Sequence, residues 1–61
     1  MTAKQVIKRL KSEGWKEVRH SGSHKQFKHD DKPSLITVPV HGSKDLAKGT
    51  LASISKQAEW S

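Results

Sequence analysis

Residues 15–29 read "WKEVRHSGSHKQFKH", and the way this stretch alternates decides the fold. Two short runs, "WKEVRH" (15–20) and "HKQFKH" (24–29), are rich in β-formers. Ser21-Gly22-Ser23 separates them, a hairpin signature. Alternate side chains of a strand share a face. Lys25, Phe27 and His29 therefore fall on one side of the second strand, and His24, Gln26 and Lys28 on the other. Phe27 is its one strongly apolar residue, so that side takes the core and His24, Gln26 and Lys28 look outward. A strand with one apolar side predicts a sheet covered on one face only.

Upstream, "TAKQVIKRLKSEGW" changes the period. Ala3, Val6, Ile7 and Leu10 recur at the i, i+3, i+4, i+7 spacing of one helical face, with Lys4, Lys8, Arg9 and Lys11 elsewhere. Thr2 and Gln5 have the spacing of a capping box. Gly14 suits the left-handed residue that ends a helix, with Trp15 folding back on the last turn. The predicted helix covers about residues 3–13. Downstream, "DDKPS" (30–34) reads as a turn and "LITVPV" (35–40) as a third strand. Pro39 belongs at a strand end or an edge, having no N–H to donate. "HGSKDLAKG" (41–49) reads as a loop. Leu46, Leu51, Ile54 and Ala58 carry the apolar pattern of a second helix over about residues 48–58, with Thr50 or Ser43 as candidate caps. Trp60 is left open between closing over the core and staying in solvent. The order is helix, three antiparallel strands, helix. With one sheet face apolar, both helices pack on that face as a two-layer α+β sandwich.

Composition bounds the rest. A chain of 61 residues makes a single domain over residues 1–61, with little core to stabilise it. It has no cysteine, which excludes disulfides and cysteine-based zinc sites and fits a reducing compartment. No apolar run reaches the ~20 residues of a membrane span, and the amphipathic N-terminus is unlike a signal peptide. A cytoplasmic protein is expected. Twelve Lys+Arg against six Asp+Glu give a formal charge of +6. So dense a field on so small a body suits a polyanion, with nucleic acid ahead of an acidic protein and an anionic membrane last.

Several segments resemble the HicA family of bacterial toxins, small ribonucleases paired with HicB antitoxins. They are the opening helix with Gly14-Trp15; "GSHKQFKH" (22–29), whose Gly22-Ser23-His24 matches the family's G-S-H signature and Phe27 its following aromatic; "ITVPVH" (36–41); and "KDLAKGTLASISKQAEW" (44–60). In the last, Asp45, Leu46, Gly49, Thr50, Leu51, Ile54, Gln57 and Ala58 fall at the family's places. The resemblance implies an α-β-β-β-α fold like that of a double-stranded-RNA-binding domain, cleavage of mRNA, His24 as the catalytic histidine, and a HicB-type antitoxin partner. His20 and His29 have no such match.

Chemistry supports that role for His24. An imidazole with an unperturbed pKa of roughly 6.5 takes and gives a proton near neutral pH. The expected reaction is attack of a ribose 2′-OH on the adjacent phosphate, with His24 as base or as acid. Lys28, Lys25 and Arg19 are the expected phosphate-binding residues, Lys28 first because it shares the His24 face. Ser23 can add a hydroxyl to phosphate, although stabilising the turn is its more common use. Gly22 serves the turn. His20 and His41 are weaker candidates for a second proton-transfer group, and His29 reads as packing. Four histidines without a helical i, i+4 pair argue against zinc, so no metal or other cofactor is expected. Trp15 and Trp60 could stack on bases, but packing is the reading for Trp15. Two other functions compete: a non-catalytic RNA-binding module of double-stranded-RNA-binding type, and a subunit whose charge serves only an acidic protein partner. Oligomeric state is not specified.

Overall fold

A computed structural model describes residues 1–42 and 44–60. Helix α1 spans Ala3–Ser12, followed by β1 (Lys16–Ser21), β2 (His24–His29), β3 (Lys32–Pro39) and helix α2 (Lys48–Gln57). The strands form one antiparallel sheet in the order β1-β2-β3, so β1 and β3 are its edges. This is the α-β-β-β-α order expected from the sequence.

The capping box at α1 forms as its spacing predicts. The Gln5 N–H donates to Thr2 Oγ1 (3.2 Å), and the Thr2 N–H donates to Gln5 Oε1 (2.9 Å). Two donors left over by the first helical turn are thereby satisfied. The helix ends in a Schellman motif: the Trp15 N–H reaches the Leu10 carbonyl and the Gly14 N–H that of Lys11. Gly14 takes φ +96°, as that motif requires. The turn places Trp15 in the core, 2% exposed. Helix α2 starts at Lys48 with Ala47 as its N-cap and no side-chain cap. Thr50, expected as a possible cap, lies inside the helix instead, and Ser43 falls outside the described residues. The third strand starts at Lys32, earlier than Leu35, so the turn contracts to Asp30-Asp31. An edge strand tolerates Pro33, which is why the proline did not delay it.

The core is one cluster on one face of the sheet. Ala3, Val6 and Leu10 enter from α1, Phe27 from β2, Ile36 and Val38 from β3, and Ile54 and Ala58 from α2, with Trp15 among them. Leu46, Leu51 and Trp60 are partly buried against it. Helix α2 also ends in a Schellman motif, but its left-handed residue is Glu59 at φ +60°. The motif turns Trp60 back onto α1. Its indole N–H donates to Glu13 Oε1 at 2.6 Å, and the Arg9 guanidinium sits 4.1 Å from its ring centroid. Trp60 thus closes over the core.

Candidate nucleic-acid interface

The hairpin turn is built from Gly22 and Ser23 alone, with Ser21 and His24 as the last pair of the ladder. Gly22 has φ +57° while Ser23 has no positive φ, the pattern of a type II′ turn with glycine first. The Ser23 carbonyl accepts from the Val40 N–H at 2.6 Å, which ties the turn to the end of β3.

Cross-strand partners share a face. Ser21, His24 and Pro39 form one such row, Arg19, Gln26 and Thr37 the next, and Lys16, Lys28 and Leu35 the third. This is the face away from the core, and His24, Lys28 and Arg19 are exposed on it. Neither Arg19 nor Lys28 has an acidic partner within 4 Å among the described residues, so their charge is available to an external anion.

Arg19 reaches this face because of a β-bulge. Register shifts between Glu17 and Arg19, so Glu17 pairs with Phe27 but Arg19 pairs with Gln26. Unbroken alternation would have put Glu17 and Arg19 on the same side. The extra residue, Val18, flips the phase of the strand, sends the carboxylate inward and the guanidinium outward, and is itself 54% exposed. Nothing in the six residues of β1 announces the bulge; it exists only in the pairing.

The other expected site residues are placed differently. Lys25 pairs with Val38 on the helix-covered face, and its ammonium lies 3.6 Å from Glu17 Oε1. His20 pairs with Lys25 and faces the same way, so the two histidines of the opening hairpin lie on opposite sides of the sheet. Ser23 is half-buried in the turn beside His24. His41 is exposed after β3. His29 is a structural staple. Its Nδ1 accepts from the Asp31 N–H at 3.0 Å, and its Nε2 lies 2.9 Å from the Glu13 carbonyl. The hydrogen therefore sits on Nε2, which donates to Glu13. The ring meets Trp15 edge-on, with centroids 5.3 Å apart.

These features define a class of protein: a small two-layer α+β domain whose uncovered sheet face is basic and carries a solvent-facing histidine at the mouth of a hairpin. The family described as "HicA toxin of bacterial toxin-antitoxin" matches residues 3–60, and the chain belongs to it. A solved structure, a toxin–antitoxin complex from Streptococcus pneumoniae, contains a chain similar to this one. It is 33% identical, with a TM-score of 0.77 over 97% of each chain. None of the curated proteins matches the chain. Among the described residues, no helix is long and apolar enough to cross a membrane.

Proposed function

We propose that this toxin is an endoribonuclease that cleaves mRNA at its uncovered sheet face, with His24 moving a proton in the cleavage step. The observation that carries the reading is the grouping on one face of an exposed His24 with Arg19 and Lys28, neither of which has an acidic partner among the described residues. In the proposed reaction the substrate's 2′-oxygen bonds to the adjacent phosphorus while the bond from phosphorus to the 5′-oxygen breaks. One proton leaves the 2′-OH and one joins the departing 5′-oxygen, and His24 serves one of these transfers. Arg19 and Lys28 bind phosphate and stabilise the charge that builds on its oxygens. No metal is needed for this step. A strand lacking the 2′-OH cannot react, which selects RNA over DNA. A HicB-type antitoxin with acidic groups over this face would neutralise its field and exclude RNA at once.

His24→Ala tests the assignment. His24 is outside the core, so the variant should fold and still bind RNA, and cleavage should fall by at least the ~10²–10⁴-fold typical of a lost proton-transfer group. Equal cleavage by both proteins would remove His24 from the mechanism. One observation favours the non-catalytic RNA-binding reading: His20 and Glu17, the nearest acid–base candidates across the hairpin, face the other way. RNA binding without cleavage by either protein would establish that alternative.

A further inference from the structure

A groove of about 420 Å³ runs between the free edge of β3 and helix α2, lined by Leu35, Thr37, Gly49, Thr50, Ser53 and Gln57. Its volume lies in the ~300–1,000 Å³ range of small-ligand sites. It adjoins the face described above, because Thr37 pairs directly with Gln26, which stands between His24 and Lys28 on β2.

The hydrogen bonding of β3 determines what the groove offers. The Val40 N–H donates inward to Ser23, and inward and outward groups alternate along an antiparallel strand. The backbone groups of Leu35, Thr37 and Pro39 therefore point outward, away from β2. The side chain of Gln57 agrees, since it crosses the groove to donate to the Leu35 carbonyl at 3.4 Å. Gln57 covers the edge at Leu35. Pro39 has no N–H to offer at the other end. Between them stands Thr37, whose N–H and carbonyl point into the groove and have no partner among the described residues.

An edge blunted at both ends is too short to add a peptide strand, which needs several outward residues in a row. One residue's N–H and carbonyl, side by side, match a planar ring with an acceptor next to an N–H donor. Every nucleobase has such an edge. The lining holds no charge, so it suits a base and not a phosphate, while hydroxyls from Thr50 and Ser53 and the amide of Gln57 supply further polar contacts. Gly49 keeps the groove open. It has no positive φ, and a methyl added there would meet nothing within 4 Å.

We propose that this groove is a nucleobase subsite, in which the Thr37 backbone holds one base of the RNA strand whose phosphate lies at His24, Arg19 and Lys28. This rests on the ribonuclease reading above, but its test does not. The full chain, labelled with nitrogen-15, is titrated with the four uncharged ribonucleosides, which lack the phosphate that the basic face would attract. The Thr37 amide and the Gln57 side-chain amide should shift together and saturate. Gly49→Leu, which fills the groove without touching the core, should weaken that response at least ~10-fold, the scale of one lost base contact. A Thr37 amide that stays still while RNA is cut in a His24-dependent way overturns the subsite alone. A Thr37 amide that responds while RNA stays intact keeps the subsite and ends the cleavage reading. A response to an extended peptide and to no nucleoside would assign the groove to a protein strand, against the proposal.

Discussion

At the scale of single residues, His24, Arg19 and Lys28 differ from their neighbours in which way they point and in what already holds them. Counterion release makes this measurable. Each phosphate contact with single-stranded RNA contributes about 0.7 to the slope of log affinity against log salt. Arg19→Ala and Lys28→Ala should each lower that slope by about this much in binding assays with a non-cleavable RNA. Lys25→Ala should lower it less, since Glu17 already engages that ammonium on the opposite face. Gly14 is a residue-scale case for stability. An added Cβ would lie 2.9 Å from His29 Nε2, and the φ of +96° is costly for any other residue. Gly14→Ala should cost about 1–3 kcal/mol in urea unfolding and should disturb the bond from His29 to Glu13.

Among the elements, β1 is the one whose behaviour is hardest to anticipate. Removing Val18 leaves Glu17 opposite Phe27 and Arg19 opposite Gln26 in a regular ladder, so Arg19 should keep its outward place. RNA affinity should then stay close to the parent's, in contrast to the drop expected for Arg19→Ala; a loss as large as that of Arg19→Ala would mean that the bulge sets the reach of Arg19 as well as its face. The contrast with α1 shows what a sequence makes legible. Thr2, Gln5 and Gly14 act on groups within one turn of themselves, so their spacing alone predicts the cap and the stop. Phe27 fixes the phase of β2 because only one apolar side chain competes for the core. Val18 leaves no such mark, because a bulge is a relation between two strands. Glu59 is hidden for another reason: its left-handed backbone is the glycine's place, held by a residue with no propensity for it. The β3 groove needs both the strand order and the position of α2, and neither is local.

On the scale of the whole molecule, the contacts between elements gather at one end. The staple from His29 to Glu13, the Trp60 clasp on Arg9 and Glu13, the Gln57 contact with β3 and the bond from Lys32 to Glu59 all lie near the C-terminal ends of the two helices. The Lys32 ammonium, 2.6 Å away, holds the Glu59 carboxyl below its ordinary value of 4.5. A carboxyl lowered in the folded state stabilises above its unfolded value, and that contribution is lost as pH falls through the folded value. Glu59→Gln should therefore be less stable than the parent at pH 7, and the two melting temperatures should converge as the pH falls through the parent carboxyl's lowered folded value and its carboxylate is protonated. At the opposite end, the hairpin turn is tied to β3 through the Val40 N–H and the Ser23 carbonyl, and Asp45 and Leu46 are tied to the N-terminus through backbone pairing with Thr2 and Met1. Such a molecule breathes from one end. Amide exchange should run fastest around the turn and slowest under the clasp, because local opening begins where fewest contacts must break. A ligand seated on the turn would then quench most of the native-state motion, and binding there would be felt as stiffening across a domain whose far end was already rigid.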